Sequence, residues 1–486
     1  MNLGVSYQMN YIHLQMRSTI LSRIKNDTAD SSGMEVRGMV KVTSLGCAKN
    51  FVDTEVASAS FLCEGFGLTS SDTDADIQFI NTCAFLEDAR NEAAKTIRGV
   101  RRWKEASPET RRVIVAGCFV EWADAAELGK FPYVDAWMRI DSVADAGKIA
   151  VKLLDGVKKI PQKKSRPSYL YTHETPRVQL TPSHYAYIKM ADGCDNCCTY
   201  CRIPSIRGNL RSRDLKDVVE EARLLVKNGV RELILIAQDS GAFGRDRNGK
   251  PCLAELLNEL DRIKGDFCLR LMYLHPASVN DELLRAMEKS KHLVRCIEMP
   301  LQHIAENVLK AMHRKVFEER TREVVKQMRG IGYAIRTTFM TGFPGETAED
   351  FETLRRFVEE TEFERLGVFA YSREAGTPAA ELPGQVAPNL AKRRRNQLLK
   401  LQRGISLKHN RALIGREIDV IVDEVLSRTK AVGRTLLDAP DIDNLVVVTS
   451  GVSLAVGDVV KAKVTDAAEY ELGAKAVCEK MRGKCQ

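Results

Sequence analysis

The stretch Ala191-Asp192-Gly193-Cys194-Asp195-Asn196-Cys197-Cys198-Thr199-Tyr200-Cys201 holds four of the thirteen cysteines of the chain. Three of them, Cys194, Cys198 and Cys201, have the spacing C-x3-C-x2-C. They follow an apolar run that predicts a strand at 185–190. Three thiolates on one short loop can hold three irons of a [4Fe–4S] cluster and leave the fourth iron open to a small molecule. The alternative is a zinc loop or a redox thiol site, but zinc requires a fourth Cys or His nearby, and none follows soon after Cys201.

The sequence around this loop alternates between short apolar runs and amphipathic helices. These runs predict six strands, at 185–190, 232–237, 268–273, 296–301, 334–341 and 366–371. Six βα units in series predict a partial (β/α)6 barrel, with reactive residues at the carboxyl ends of its strands.

The rest of the chain adds further domains, so the predicted fold class is α/β with an additional all-β module. Three strand–helix repeats come before the barrel, a lysine- and proline-rich stretch separates them from it, and short β-rich runs follow it. The predicted segments are a flexible extension at 1–37, an open α/β domain at 38–154, a linker at 155–179, the barrel at 180–411 and a small all-β barrel at 412–483.

A second set of three cysteines, Cys47, Cys83 and Cys118, lies in the predicted N-terminal domain. Each directly follows a predicted strand, at 40–44, 77–81 and 112–116. The carboxyl ends of parallel strands share one edge of a sheet, so the three thiols are expected to meet there. This register predicts a second three-cysteine cluster site. The alternative is three buried structural cysteines.

Composition gives the cellular setting. The chain has 486 residues, 44% of them hydrophobic and 28% charged, which excludes collagen-like and wholly disordered proteins. No secretory signal is recognisable and no apolar run is long enough to span a membrane, so we expect a cytoplasmic protein whose cysteines stay reduced. Cys197 breaks the spacing of the cysteine loop and is interpreted as a bystander. The remaining cysteines show no paired spacing and are interpreted as core or surface thiols; they are Cys63, Cys252, Cys268, Cys296, Cys478 and Cys485.

The cysteine loop on the first strand of a six-unit barrel resembles the radical S-adenosylmethionine superfamily. Together with the second cysteine set, the chain is similar to the methylthiotransferases, whose C-terminal β-barrel is called TRAM. The resemblance implies that Cys194, Cys198 and Cys201 bind a [4Fe–4S] cluster whose open iron takes S-adenosylmethionine and generates the 5′-deoxyadenosyl radical. It also implies that the N-terminal set binds an auxiliary [4Fe–4S] cluster that handles sulfur.

Three sequence blocks are similar to the branch of this family that modifies a ribosomal protein. They are 46–55, 369–374, and Gly433-Arg434 with 438–443. In the first block this branch usually has Pro in place of Ala48, and after Ser372 the tRNA branch tends to have Pro-Arg. The resemblance implies methylthiolation of the β-carbon of an aspartate of ribosomal protein uS12, with one S-adenosylmethionine as radical source and a second as methyl donor. It further implies a flavodoxin- or ferredoxin-type electron donor and a monomeric enzyme.

Charge supports a protein substrate over RNA. Residues 417–486 hold nine basic and twelve acidic side chains, a net charge of −3, whereas an RNA-binding module is expected to be basic. Residues 389–416 hold nine basic and no acidic side chains, which indicates either a solvated helix face or contact with ribosomal RNA. The alternative functions are therefore a tRNA adenosine methylthiotransferase and a non-catalytic iron–sulfur or zinc RNA-binding protein.

Several polar residues at strand ends are weaker candidates for contacts with S-adenosylmethionine or substrate. Gln238 and Asp239 follow the second predicted barrel strand, and Gln302 and His303 follow the fourth. Arg213 is a candidate partner for the carboxylate of S-adenosylmethionine. For His303, a purely structural role is an equal alternative. Thr347 is expected to cap a helix.

Overall fold

The computed structural model describes residues 36–160 and 166–477, which form two compact units. The first unit contains the residues up to Leu180 together with Arg202–Asn209, and the second contains Thr181–Cys201 and the residues from Leu210 onward. Most of the predicted extension at 1–37 lies outside the described residues, as do Cys478, Cys485 and part of the predicted linker.

The first unit is built on a parallel five-stranded sheet with the order β2-β1-β3-β4-β5. Its strands are β1 (Met39–Ser44), β2 (Gly67–Thr69), β3 (Ile77–Thr82), β4 (Arg112–Gly117) and β5 (Ala136–Met138). The three predicted strands are present as β1, β3 and β4, each one residue longer than expected. The two edge strands, β2 and β5, were not predicted, because three residues are too few to show a periodic pattern.

Helices cover this sheet, so β3 is buried along its whole length. The helices are α1 (Ala48–Cys63), α2 (Glu87–Gly99), α3 (Arg101–Ala106), α4 (Cys118–Trp122), α5 (Ala125–Gly129), α6 (Ala146–Leu154) and α7 (Ile203–Arg207), with a 3-10 helix at Ile140–Asp145. Two hydrophobic clusters lie in this unit, one around Ile80 and Val115 and the other around Phe61 and Phe79.

The six predicted strands of the central domain are all present and parallel. They hydrogen-bond as two three-stranded sheets, β6-β9-β10 and β11-β12-β13, and one hydrophobic core joins the two. The strands are β6 (Tyr185–Lys189), β9 (Glu232–Ile236), β10 (Cys268–Leu271), β11 (Cys296–Glu298), β12 (Ala334–Thr341) and β13 (Arg365–Ala370), with a small antiparallel ribbon of β7 (Ala191–Asp192) and β8 (Arg211–Ser212). The partial α/β barrel is therefore confirmed, with its strands split between two sheets.

Helices follow these strands and cover the two sheets. They are α8 (Leu215–Lys227), α9 (Arg245–Asn248), α10 (Leu253–Leu260), α11 (Asp281–Lys289), α12 (Glu306–Ala311), α13 (Glu318–Gly330), α14 (Ala348–Thr361), α15 (Pro378–Glu381) and α16 (Pro388–Arg411), with 3-10 helices at Ser240–Ala242 and Pro276–Ser278. Thr347 caps α14 as predicted, because its hydroxyl accepts from Asp350 N at 3.1 Å and the Asp350 carboxylate accepts from Thr347 N at 2.9 Å.

Helix α16 carries most of the predicted basic run. Leu398 and Ile405 on one face are buried in the central core, whereas Lys392, Arg393 and Lys400 are exposed. This arrangement accords with a solvated helix face, one of the two interpretations of the run. Among the described residues, no helix has both the length and the hydropathy that a membrane span requires.

The C-terminal module is a closed five-stranded barrel, as predicted. Its strands are β14 (Glu417–Ser427), β15 (Lys430–Thr435), β16 (Leu445–Thr449), β17 (Val459–Ala467) and β18 (Glu471–Ala476), in the order β14-β15-β16-β18-β17. Val420, Val446 and Val464 are nearly fully buried inside the barrel.

Buried ion pairs join this barrel to the central strands. Glu232, the first residue of β9, lies between Arg270 and Arg434 at 2.7 and 2.5 Å. Further pairs are Arg336–Asp443 at 3.0 Å and Arg365–Asp438 at 2.6 Å. Acidic residues of the terminal module are thus neutralised inside the chain, so its net charge of −3 overstates the negative charge that a partner would meet.

Candidate iron–sulfur sites

The first unit brings Cys47, Cys83 and Cys118 together at the carboxyl edge of its sheet. The three cysteines follow β1, β3 and β4, and Cys118 is the first residue of α4. Burial, together with the proximity of Cys118 and Cys47, raises the pKa of Cys83 to about 12. Such mutual repulsion between thiolates requires that the three side chains be close together.

Glycines allow this close approach. Gly46, immediately before Cys47, has φ +104°, and a Cβ there would lie 3.0 Å from the Cβ of Cys83. Gly117, immediately before Cys118, has φ +94°, and a Cβ there would lie 2.3 Å from Asn81 Oδ1. Side chains other than glycine disfavour both backbone conformations, so each loop needs its glycine to present its cysteine.

A buried arginine that sequence reasoning missed also reaches this site. Arg207, on α7, is 1% exposed, and its Nη2 donates to Cys118 Sγ at 3.5 Å and to Asn50 Oδ1 at 3.1 Å. Its Nη1 donates to Asp53 Oδ2 at 2.8 Å. Burial raises the pKa of Cys118 to about 11, and Arg207 acts in the opposite direction. No spacing pattern in the sequence identifies Arg207, because its contact with Cys118 forms only when its segment folds against α1 and α4.

The donor set fits an iron–sulfur cluster better than a single metal ion. In a zinc site all the thiolates bind the same metal ion, with Zn–S distances of about 2.3 Å. In an iron–sulfur cluster each thiolate binds a separate iron. Metal binding displaces the thiol protons, and a nearby guanidinium favours the resulting thiolates.

In the second unit, the Cys194 loop follows β6 and β7 at the carboxyl edge of the central strands. The backbone N–H of Asn196 donates to Cys194 Sγ at 3.5 Å, and Cys201 N donates to Cys198 O at 2.9 Å, which folds the loop into a turn. Burial, together with the proximity of Asp239 and Cys198, raises the pKa of Cys194 to about 11. Cys197 is exposed in a left-handed backbone conformation (φ +52°), which fits its interpretation as a bystander.

Three polar side chains support this loop, and sequence reasoning missed two of them, Arg314 and Asn196. Arg314 is buried, and it donates to Cys198 Sγ at 3.9 Å and to Pro300 O at 2.6 Å. Asn196 Nδ2 donates to Asp239 Oδ2 at 2.6 Å, and burial raises the pKa of Asp239. Asp239 follows β9, and that position at a strand end had already made it a candidate.

The weaker candidates differ in how available their polar groups are. Gln238 Nε2 donates to Asp192 Oδ1 at 2.6 Å, while its buried Oε1 accepts no hydrogen bond from the described residues. Gln302 has φ +71°, and its backbone pairs with β12. Gln238 therefore keeps an acceptor for a ligand at the carboxyl edge of the barrel.

His303 and Arg213 are held within the protein. His303 is fully buried, its Nδ1 accepts from Ala305 N at 3.0 Å, and its Nε2 lies 3.6 Å from the Glu346 carboxylate. Arg213 pairs with Asp217 at 2.7 Å and with Glu221 at 2.5 Å. The Arg213 guanidinium therefore already has two carboxylate partners. The buried Nε2 of His303, in contrast, forms no hydrogen bond with the described residues.

Comparison with known proteins assigns the three parts of the chain to families. Residues 39–139 match the Uncharacterized protein family UPF0004, residues 188–358 match the Radical SAM superfamily, and residues 414–477 match the TRAM domain. A radical S-adenosylmethionine methyltransferase structure, TsrM from Kitasatospora setae, covers 68% of this chain and 72% of that chain with a TM-score of 0.51 and 15% identity, a likeness of fold alone.

Curated relatives match nearly the whole chain. Ribosomal protein uS12 methylthiotransferase RimO of Desulforamulus reducens is 40% identical over 437 residues, which is 89% of this chain and 98% of the relative. The protein of the same name from Elusimicrobium minutum is 41% identical, again over 89% of this chain and 98% of the relative. The chain therefore belongs to the family of ribosomal protein uS12 methylthiotransferases, within the Radical SAM superfamily.

Proposed function

We propose that this chain transfers a methylthio group to the β-carbon of an aspartate of ribosomal protein uS12. The observation that carries the proposal is the similarity to uS12 methylthiotransferases along 98% of their length, which includes the domains on both sides of the barrel. The enzyme would act in the cytoplasm as a monomer, with a low-potential donor of the flavodoxin or ferredoxin type.

The chemistry demands a radical, because the C–H bonds of an aspartate β-carbon are too unreactive for ordinary acid–base catalysis. When bound, one [4Fe–4S] cluster with S-adenosylmethionine supplies the 5′-deoxyadenosyl radical, an auxiliary cluster supplies sulfur, and a second S-adenosylmethionine supplies the methyl group. We assign Cys194, Cys198 and Cys201 to the first cluster and Cys47, Cys83 and Cys118 to the auxiliary one.

The chain's own residues would hold and shield these groups. Arg314 donates toward Cys198 and would offset thiolate charge in this half-buried loop. Gln238 Oε1, which accepts no hydrogen bond from the described residues, would accept one from S-adenosylmethionine or substrate at the carboxyl edge of the strands. The apolar core beneath this edge excludes water from the reactive site.

A pair of cysteine variants tests the division of labour. Cys198→Ala is expected to abolish 5′-deoxyadenosine formation, whereas Cys83→Ala is expected to retain it and to lose sulfur insertion. Cys197→Ala and Cys63→Ala, at exposed cysteines close in sequence to each set, serve as matched controls and should retain both activities. Equal loss of cleavage in Cys198→Ala and Cys83→Ala, in chains with wild-type circular dichroism, would contradict the two-cluster assignment.

The substrate is tested by mass analysis of a strain that lacks the gene. We expect uS12 to lose the mass of one methylthio group and the methylthio nucleosides of tRNA to remain. Re-expression of the wild-type chain should restore the uS12 modification, and Cys198→Ala should not. Loss of a tRNA methylthio group with uS12 unchanged would instead identify a tRNA adenosine methylthiotransferase.

A further inference from the structure

Arg207 is the largest fully buried side chain among the described residues. It lies on α7, in the segment Arg202–Asn209, which belongs to the first unit although it directly follows Cys201 in the sequence. A guanidinium loses a large hydration energy on burial, so such a group is kept only where its partners compensate. The partners at this position are therefore informative about its role.

These partners fix the guanidinium against a cysteine. Asp53 and Asn50 on α1 accept from its two terminal nitrogens at 2.8 and 3.1 Å, and this fork leaves Nη2 3.5 Å from Cys118 Sγ. Asn50 is itself tied to the loop before Cys47, because its Nδ2 donates to Leu45 O at 2.5 Å. The position of the positive charge is thus set by α1, not by the cysteine that it contacts.

We propose that Arg207 is a positioning residue of the auxiliary site, which hydrogen-bonds the Cys118 thiolate and raises the reduction potential of the cluster bound there. The inference rests on the proposed function, in which Cys47, Cys83 and Cys118 hold that cluster. Hydrogen bonds to the cysteine sulfurs and nearby charge are principal determinants of cluster potential. Reduction adds a negative charge to a buried site, so a fixed guanidinium stabilises the reduced form.

The test isolates the auxiliary site by using the full-length chain with Cys194, Cys198 and Cys201 all changed to Ala. Its midpoint potential is measured by an electron paramagnetic resonance redox titration after anaerobic reconstitution with iron and sulfide. Arg207→Met is expected to shift the midpoint to more negative values. Arg207→Lys, which keeps a positive charge, is expected to shift it in the same direction but by less. Arg112→Met is the control, because Arg112 begins the strand that ends before Cys118 and donates to backbone carbonyls of Pro108, Arg111 and Leu153.

A second variant distinguishes electrostatic tuning from simple support of the fold. Asp53→Asn removes the negative partner but leaves the guanidinium, so the midpoint is expected to shift to more positive values, opposite to Arg207→Met. A purely structural role predicts shifts of the same sign or none. If Arg207→Met fails to retain iron, the other two variants decide between the two roles: opposite signs of the midpoint shifts in Arg207→Lys and Asp53→Asn support electrostatic tuning, and equal signs support a structural role.

The outcomes separate this inference from the proposed function. Unchanged midpoints in iron-loaded Arg207→Met, or shifts of the same sign in Arg207→Met and Asp53→Asn, would overturn the role of Arg207 and leave the auxiliary cluster intact. If the chain without Cys194, Cys198 and Cys201 binds no iron at all, the auxiliary cluster and the inference both fail.

Discussion

Replacing Glu232 by Gln removes the one negative charge that lies between two buried guanidinium groups, those of Arg270 and Arg434. Burial alone would raise the pKa of Glu232, but the two arginines outweigh it and hold the pKa at about 2, against an ordinary value of 4.5. A difference of this size corresponds to about 3 kcal/mol of stability at pH 7. Removal of one partner from a buried ion pair costs a similar amount, about 3–5 kcal/mol.

Urea unfolding can localise this loss, because all three tryptophans, Trp103, Trp122 and Trp137, lie in the first unit. Glu232→Gln is expected to lower the urea midpoint followed by far-ultraviolet circular dichroism and to leave the tryptophan fluorescence transition unchanged. Glu259→Gln is the matched control: its pair with Arg262 is at the surface, where such pairs contribute less than about 1 kcal/mol.

The effect has a defined pH dependence. Because the folded-state pKa of Glu232 is depressed, its contribution is complete above about pH 5 and is lost as the pH falls toward 2. The difference between wild type and Glu232→Gln should therefore narrow over that range. Equal midpoints at pH 7, or a tryptophan transition that shifts as far as the circular dichroism transition, would refute the reasoning.

Three further predictions concern the caps, loops and ligand contacts. Thr347→Ala removes the cap of α14 and should cost about 1 kcal/mol in the circular dichroism transition while S-adenosylmethionine cleavage continues. Gly117→Ala places a Cβ 2.3 Å from Asn81 Oδ1 at a residue with φ +94°. The variant should therefore lose the iron of the first unit and keep that of the second, so that iron analysis finds roughly half the wild-type content. Gln238→Leu removes the free Oε1 and should raise the KM for S-adenosylmethionine without lowering iron content, as steady-state kinetics and iron analysis would show.

The sequence was most informative where chemistry follows directly from position along a strand. Cys47, Cys83 and Cys118 were expected at one sheet edge because each directly follows an apolar run, and the structure brings them together there. The short strands β2 and β5 lacked that signal. Arg207 and Arg314 could not be predicted, because each reaches its cysteine from a distant part of the sequence.

Net charge counted along the sequence does not show which of the acidic side chains a partner would meet. The net charge of −3 over residues 417–486 suggested a surface for a basic ribosomal protein, yet Asp438 and Asp443, in the block 438–443, pair with Arg365 and Arg336 inside the second unit. Charge counted along a sequence does not distinguish exposed carboxylates from carboxylates buried against arginine. The block that is similar to the ribosomal-protein branch therefore contains residues that attach the terminal barrel to the central strands.

The existence of two clusters on one chain is tested most directly by iron and sulfide analysis after anaerobic reconstitution. The wild-type chain should bind about eight irons, since each cluster holds four. Changing Cys194, Cys198 and Cys201 together to Ala should leave about four, and so should changing Cys47, Cys83 and Cys118 together. The account would be contradicted if the wild type bound only about four irons, and if all of them were lost when Cys194, Cys198 and Cys201 are changed and none when Cys47, Cys83 and Cys118 are changed.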